Sequence, residues 1–519
     1  MKGIVIRITS LALGGVLLVS LPAPVSAQGT TLRVSVGAGD VSTLDAHRAS
    51  ATNDKGLVGW IYNGLVRFKP GSAEPKDLEP DLAERWESSP DGKVWTFQLR
   101  QGVKFHGDWG TLDADDVVYS LQRSADPKRS TFSSDFAAVD KIEKIDGLAV
   151  RISLKYPDAN FLGRVSNYHG GNIVSRKAAE ERGDKYGAQP VGTGPFAFVE
   201  QVTQQYVKLA AHAGYFRGKP KIDAIVVRII PSDSARELAF TSGELDLMYG
   251  KREQRWVDAA RRRPGFNVDI FQPGEFRLLH INQSMPPLDD IRVRRAIAAA
   301  INVDDLVRFV GQEVGPKGCS VVPPGYLGED CAARYTYDLA KAKALLAEAG
   351  HKDGITIKAI VSNISAQQPF MEIIQAQLGK AGIKLEMQVV DHPTYQSQTR
   401  KDLSGLVFYG AARFPIADTY LSEFFHSRAI VGTPTAATNF SHCSVADKEI
   451  EQARTEAAPD RQKELWKQAQ IKIMENVCAI PLFELRQVWV RASKLDFGYD
   501  LKGAMNLAPP ITEATNLKN

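Results

Sequence analysis

Hydrophobic positions recur along this chain with two different periods, and the two kinds of segment alternate. Residues 31–36, TLRVSV, carry an apolar side chain at every second position, which is typical of a strand. Residues 93–106 show similar spacing after the turn signal Pro90-Asp91-Gly92, so we expect hairpins in this region. Because segments of both periods alternate throughout, the pattern predicts a mixed α/β protein.

Apolar residues spaced three and four apart predict helices, and capping residues predict where those helices begin. Asp338 is expected to cap a helix that stops at Gly350. Ser234 and Glu237 have the spacing of a capping box and predict another helix start. Residues 289–302 are a third helical segment, with its arginines expected on the solvent side.

The N-terminal segment predicts a signal peptide. A short basic region is followed by an apolar run at residues 8–21, and Val25-Ser26-Ala27 has the small-x-small pattern of a signal peptidase site. We therefore expect residues 1–27 to be removed and the mature chain to begin at Gln28. The alternative is an uncleaved anchor, but the run is shorter than the roughly 20 residues of a spanning helix and prolines follow it.

Export without a lipid anchor follows from the position of the first cysteine. This residue is Cys319, so no lipid-accepting cysteine follows the predicted cleavage site. We expect retention in the periplasm of a Gram-negative cell. The four cysteines, Cys319, Cys331, Cys443 and Cys478, suggest disulfides in an exported chain. Cys319 with Cys331 would close a small loop and leave Cys443 with Cys478, although connectivity and the alternative of free thiols stay open.

Size and charge limit the classes of function. A chain of 519 residues is too long for one hydrophobic core, so two or three lobes are expected. No linker-like stretch separates them, which predicts several chain crossings between lobes. The 64 lysines and arginines against 60 aspartates and glutamates are too evenly balanced to indicate nucleic acid or an anionic membrane as the partner.

Catalytic motifs are not found in the sequence. Residues 214–220, GYFRGKP, lack the spacing and the hydroxyl residue of a phosphate-binding loop. Neither H-E-x-x-H nor G-x-S-x-G occurs. His169 and the segment NFSHC at 439–443 are interpreted as structural, because no further metal ligand accompanies them. We therefore expect a protein that is not an enzyme and holds no cofactor or metal.

Several segments together resemble one family, the periplasmic solute-binding proteins of peptide, nickel and opine ABC importers, known as extracellular solute-binding family 5. The resemblance covers nearly the whole mature chain in order and spacing. It is carried among others by IYNGLVRF (61–68), LDADDVVYSLQRS (112–124), VGTGPFAFVE (191–200), HINQSMPPLDDIRVRRAIAAAIN (280–302) and YDLAKAKALLAEAGH (337–351).

This resemblance implies an α/β fold of the periplasmic binding protein type II, with two lobes around a ligand cleft and an extra inserted subdomain (cluster C). Lobe I would comprise residues 28–62, 190–279 and 483–519, with 63–189 as the inserted subdomain and 280–482 as lobe II. Such a receptor closes around a small organic solute and delivers it to ABC permease subunits with their ATPases. We expect a monomer.

The ligand is predicted from two departures from the peptide-binding members. The turn that follows the strand at 406–409 carries, in those members, an aspartate that faces the ammonium group of the peptide, and here Arg413 takes that place. Their arginine and tyrosine for the peptide carboxylate correspond to Val361 and Asn363. Because a guanidinium binds carboxylate or phosphate, we expect an anionic solute, opine-like or sugar-acid-like. The alternative is that Arg413 pairs internally with an acid such as Asp418 or Asp391.

Other ligand contacts are expected from residues near the same cleft. The family resemblance directs Ser50, Thr52 and Asn53 to the cleft, and Asn363 would add an amide. Apolar walls would come from Tyr409, Phe414, Tyr168 or Trp60. The alternatives are a di- or oligopeptide receptor, a receptor for a metal chelate or haem, and, from other classes, an exported hydrolase or a periplasmic chaperone.

Overall fold

The computed structural model describes residues 29–518 apart from 38, 39, 159, 365, 433–437 and 457. The predicted signal peptide, residues 1–27, lies outside the described residues. Strands and helices alternate along the described chain, so the predicted mixed α/β character is confirmed. No helix in the described ranges is both long and apolar enough to cross a membrane.

The strands form one large sheet, one small sheet and three two-stranded ribbons. They are β1 (Thr31–Val36), β2 (Val66–Phe68), β3 (Leu78–Pro80), β4 (Ala83–Ser88), β5 (Val94–Leu99), β6 (Val139–Asp146), β7 (Ala149–Leu154), β8 (Phe196–Val202), β9 (Tyr206–Ala211), β10 (Ala224–Ile229), β11 (Leu247–Tyr249), β12 (Phe266–Ile281), β13 (Ile355–Ser362), β14 (Ile383–Val390), β15 (Leu406–Ala411), β16 (Ala479–Ala492), β17 (Leu495–Asp496) and β18 (Asn516–Leu517).

Among the helices of the described residues, eight lie after residue 290. The helices are α1 (Thr52–Ile61), α2 (Ala114–Ala125), α3 (Phe161–Arg164), α4 (Arg176–Arg182), α5 (Asp233–Thr241), α6 (Gln254–Arg261), α7 (Ile291–Ala300), α8 (Val303–Val310), α9 (Leu339–Glu348), α10 (Gln368–Lys380), α11 (His392–Arg400), α12 (Ala417–Phe425), α13 (Asp447–Thr455) and α14 (Pro459–Glu475).

Two long antiparallel strands, β12 and β16, connect the two halves of the molecule. The large sheet has the order β15-β12-β16-β11-β1-β10-β9-β8. At one end of the pair, Phe271 and Trp489 pack in a core with the N-terminal region. At the other end, Leu279 and Leu482 pack in a second core with α7 and β13. The halves are thus joined by paired strands, and the proposed lobe boundaries at 279/280 and 482/483 fall inside them.

A separate antiparallel sheet, β4-β5-β7-β6, lies within residues 83–154. The hairpin of β4 and β5 turns at Gly92, whose φ of +68° is the left-handed conformation that glycine adopts at no steric cost. The hairpin prediction for this region is therefore confirmed. This sheet lies within the proposed inserted subdomain, residues 63–189, whose limits stay a prediction.

One helix start was predicted correctly and one was wrong. Asp338 caps α9 by accepting a hydrogen bond of 2.9 Å from the backbone N–H of Lys341. The capping box at Ser234 is wrong, because Ser232 caps α5 and Ser234 lies inside the first turn. Glu237 does not close a box there, since its carboxylate accepts from the Trp256 indole at 2.9 Å.

The expectation that the arginines of residues 289–302 face solvent is wrong for Arg294. This side chain is buried, and its guanidinium donates to the Asn476 side chain at 2.7 Å and to the Leu288 carbonyl at 2.9 Å. Backbone carbonyls and the Asn476 amide supply acceptors inside the protein, which offsets the cost of burying the charge.

Both disulfides of the expected pairing are present. Cys319 is bonded to Cys331, and Cys443 is bonded to Cys478. The second bond joins the loop before α13 to the start of β16 across 35 residues of sequence. It therefore fixes the segment before α13 to a strand that connects the two halves.

Candidate functional site

A cavity of about 1500 Å³ lies between the two halves of the molecule. Residues 50–55, at the start of α1, lie on the wall formed by the N-terminal half. Residues 408–429, from β15 to the turn after α12, lie on the opposite wall. Glu275 and Arg277 of the connecting strand β12 also line it. A concave site between two lobes is the usual position for a small-molecule ligand.

Charged side chains line this cavity in unequal numbers. Eight are cations and five are acids, an excess of three positive charges. The cations are Lys55, Arg164, Arg252, Arg277, Arg400, Arg413, Arg428 and Arg454, and the acids are Asp135, Asp158, Glu275, Asp418 and Glu423. Such a lining attracts anions, because low-dielectric walls concentrate the field of one sign of charge.

Arg413 lies in the turn between β15 and α12 and is held by an acid on that helix. Its Nε donates to a Glu423 carboxylate oxygen at 2.5 Å, and its Nη1 donates to the Ala412 carbonyl at 3.1 Å. The guanidinium also lies over the Phe424 ring, 5.7 Å from its centroid. Burial alone would lower the pKa of Arg413, but the Glu423 carboxylate, together with Tyr409 and Tyr168, outweighs burial and the pKa is raised.

The internal partner of Arg413 is therefore neither Asp418 nor Asp391. Asp418 faces Arg454 at 3.7 Å, and Asp391 caps α11 by accepting from the backbone N–H of Thr394 at 3.0 Å. Arg413 nevertheless lines the cavity with about one fifth of its side chain exposed, 21 %. Its Nη2 has no acceptor among the described residues, so this edge can still donate to a ligand.

Lys55, in the first turn of α1, is a cavity cation that the sequence analysis missed. Only 9 % of the residue is exposed, and its Nζ lies 5.8 Å from the centroid of the Tyr168 ring. Within the described ranges it has no ion pair or side-chain hydrogen bond. Burial lowers the pKa of Lys55 to about 7, and the positive charge of Arg413 adds to this effect. A cation in a first helical turn opposes the macrodipole, which was the available sequence signal.

Arg252 and Arg277, the latter on the connecting strand β12, are two further cavity cations that the sequence analysis missed, and they share one acid. Arg252 Nη1 lies 3.1 Å from a Glu275 oxygen, and Arg277 pairs with the other oxygen of the same carboxylate. Arg277 is buried, and its Nε has no partner in the described residues. Burial would raise the pKa of Glu275, but the two arginines lower it. Arg252, Arg277 and Glu275 together thus carry one net positive charge at the cavity surface.

Five of the nine predicted binding residues are brought together at the cavity. They are Arg413, Ser50, Thr52, Asn53 and Tyr409. Ser50 is exposed and Thr52 and Asn53 are half-buried, so their hydroxyl and amide groups are accessible from the cavity. Their direct contact with a ligand stays a prediction.

The other four predicted residues do not line this cavity. Trp60 donates from its indole to the Pro509 carbonyl at 3.1 Å, away from the cleft. Phe414 packs on Phe68 at a centroid distance of 5.7 Å, where the two walls touch. Asn363 is exposed beside the cavity-lining Ile364. Tyr168 lies behind the cavity surface, under Lys55 and stacked on His169.

This chain is similar in sequence and in structure to known binding proteins, which have different ligands. The family model for bacterial extracellular solute-binding proteins, family 5 (middle region), matches residues 77–432. Heme-binding protein A of Haemophilus influenzae is 30% identical over 456 residues, which are 81% of this chain and 81% of that protein. Each of the relatives named here is a binding protein, and none is named as an enzyme.

Two solved structures match with high coverage. MoaA from A. tumefaciens R10, in complex with mannopinic acid, is 48% identical with a TM-score of 0.89 and covers 95% of this chain and 100% of that chain. DppA from Helicobacter pylori, in complex with the peptide STSA, is 28% identical with a TM-score of 0.82 and covers 95% and 98%. The fold expected from the sequence resemblance is therefore confirmed.

Proposed function

Because the chain belongs to the bacterial extracellular solute-binding proteins of family 5, we propose that it is the receptor of an ABC importer for an anionic, opine-like solute. The observation that carries the ligand class is the excess of three positive charges in the cavity lining. The same ligand class is supported by the 48% identity to MoaA, whose structure contains mannopinic acid. Binding requires no chemical step, so the proposal includes no enzymatic activity.

A peptide is the second candidate ligand, because a 28% identical protein was solved with a peptide. The terminal ammonium of a peptide needs an acid that is free to receive it. On the wall near Arg413, however, Glu423 pairs with Arg413, and Asp418 faces Arg454. The terminal ammonium of a peptide would have to compete with one of these arginines for its acid, whereas a carboxylate group of the ligand would not.

The proposal extends to the path of the ligand. Residues 1–27 would direct export and be removed, and the receptor would act as a monomer in the periplasm. It would deliver the solute to permease subunits that a separate ATPase drives. The two walls would separate by bending of β12 and β16, with 28–62, 190–279 and 483–519 as one lobe and 280–482 as the other.

A thermal-shift screen of the chain from Gln28 tests this function. The panel contains mannopinic acid, sugar acids, dipeptides, haem and neutral oligosaccharides, each also measured with Arg413→Ala. A ligand at 100 times its Kd stabilises by about 2.7 kcal/mol, which is easily measured. We expect anionic solutes to raise the Tm of the wild type most, and Arg413→Ala to reduce that shift. A larger shift with dipeptides or haem than with any acid would overturn the ligand class.

A further inference from the structure

We propose that Lys55 is the residue that selects an anionic group on the ligand, with its ammonium bound directly to that group. This inference rests on the proposed function and names the cation responsible for it. Arg413, which the sequence suggested for that role, would contribute a hydrogen bond from Nη2 but little net charge, because Glu423 neutralises it.

Three arginines on the two walls of the cavity differ from Lys55 in having an acid as partner. Arg164 donates to Asp158 at 2.5 Å, Arg413 to Glu423 at 2.5 Å, and Arg454 faces Asp418 at 3.7 Å. Each of these arginines thus has a carboxylate, whereas Lys55 has none within ion-pair distance in the described chain. An anion that enters here gains a partner without breaking an existing pair.

Burial makes this missing partner energetically important. Lys55 is nine-tenths buried, lines the cavity and lies over the Tyr168 ring. A buried ammonium without a counter-charge is costly, and a ring face offsets only part of that cost. A carboxylate or phosphate of the ligand would offset much more, through a charge-assisted hydrogen bond.

The neighbouring residues suit the same ligand group. Ser50, Thr52 and Asn53 precede Lys55 by five, three and two residues and line the same cavity. Hydroxyl and amide groups can donate to the oxygens of an anion that the ammonium holds. These hydroxyl and amide groups would therefore bind the same anionic group as the Lys55 ammonium. Nη2 of Arg413 would reach the ligand from the opposite wall.

Proton uptake separates Lys55 from the arginines, which do not titrate. The pKa of Lys55 is affected by the charges of four groups: Arg413 on the opposite wall, Asp135 before β6, Glu423 on α12 and Glu275 on β12. Two further titratable side chains, His169 and Tyr168, lie beside it. Burial holds the pKa of His169 well below its usual value, and that of Tyr168 is raised, so neither changes charge between pH 7.5 and 9. Bound anion would raise the pKa of Lys55, and binding in that range would take up a proton.

Isothermal titration at pH 8.5, in two buffers of different ionisation enthalpy, tests the inference with mannopinic acid as the probe. We expect Lys55→Met to weaken binding roughly 10- to 100-fold, the loss of one charge-assisted hydrogen bond, and to abolish proton uptake. Lys55→Arg keeps the charge, so it should retain most of the affinity but show no uptake, since a guanidinium stays protonated.

The matched control is Lys352→Met, which removes an exposed lysine that does not line the cavity. We expect it to change the affinity less than about 2-fold, because solvent and salt screen an exposed charge outside the site. Wild-type affinity and uptake in Lys55→Met would overturn the role of Lys55 while leaving the receptor function intact. Failure of the wild type to prefer any anion over neutral solutes would overturn the proposed function itself and this inference with it.

Discussion

Lys55 and Arg413 are cations of the same cavity on opposite walls, yet their electrostatic situations differ. Arg413 has a carboxylate of its own, Glu423, at 2.5 Å, and its pKa is raised. Lys55 has an aromatic ring instead of an acid, and its pKa is lowered to about 7. A charged side chain that lines a binding site is therefore not always available to bind the ligand. Its availability depends on whether an internal partner already neutralises it.

The chemistry of the two side chains explains why they can play different parts. A guanidinium has five donors in a fixed fork, so it can hold an internal acid and still present an edge to a ligand. An ammonium is a compact charge whose pKa shifts readily on burial. We infer that Arg413 orders its wall of the cavity, while Lys55 responds to the charge of the ligand.

The largest effect is expected from removing the unpaired charge in Lys55→Met. Without ligand, the variant should have a free energy of unfolding about 2 kcal/mol higher than the wild type at pH 6. The full pKa shift from 10.5 to about 7 corresponds to about 5 kcal/mol. We expect a smaller value because separation of the two walls would expose the ammonium to solvent. Urea denaturation at pH 6 measures this difference.

The sign of its pH dependence is fixed by the direction of the shift. The folded-state pKa of Lys55 lies below the unfolded-state value, so the unfolded chain binds more protons between about pH 7 and 10.5. The wild type therefore gains stability relative to Lys55→Met as the pH rises through this window, and the difference should disappear near pH 10. The exposed Lys352→Met serves as the control. Equal stabilities of wild type and Lys55→Met at pH 6 would show that Lys55 is not an unpaired buried charge.

An intermediate effect is expected when the partner of Arg413 is removed, which makes the two cations alike. Glu423→Ala should lower the free energy of unfolding by about 1 kcal/mol, a modest value because the Glu423 side chain is about one third exposed, 32 %. It should also strengthen the binding of mannopinic acid roughly 5-fold, about 1 kcal/mol, because Arg413 becomes available to the anion. Titration calorimetry and urea denaturation measure the two quantities.

A suitable control for that change is Glu244→Ala, which removes the acid of Arg228 from a surface pair that does not line the cavity. Both quantities should then stay close to those of the wild type. Weaker anion binding in Glu423→Ala would mean that the Arg413–Glu423 pair orders the cavity and that its charge balance has no direct effect on the ligand.

Individual strands and helices could be predicted from the sequence because their signals are local, whereas the two-lobed fold was implied by the family resemblance. Residues 31–36 form the predicted strand, and Asp338 caps the predicted helix, since periodicity and capping act within a few residues. The resemblance also placed Arg413 at the cavity. The start of α5 was missed because two serines, Ser232 and Ser234, are both suitable caps, and only the backbone path decides between them.

The electrostatics of the site could not be predicted in the same way. Glu423 is ten residues from Arg413, and the helix geometry that brings them together is set by packing of α12. Lys55 is made unusual by its burial against a ring 113 residues away in sequence, which no local pattern indicates. Pairing and burial arise from tertiary contacts, so charge at a site requires the structure.

The smallest effect is expected from the aromatic ring beneath Lys55. Tyr168→Leu removes the ring face, which contributes roughly 0.5–1 kcal/mol to an ammonium. The pKa of Lys55 should then fall further, and the midpoint of proton uptake in titrations with mannopinic acid should move down by less than about one pH unit. Because the substitution also changes packing against His169, Tyr168→Phe is the control and should leave the midpoint unchanged.

In the double variant with Lys55→Met, proton uptake should be absent and Tyr168→Leu should alter affinity only through packing. An unchanged midpoint in Tyr168→Leu would mean that the ring fills space beside Lys55 without stabilising its charge.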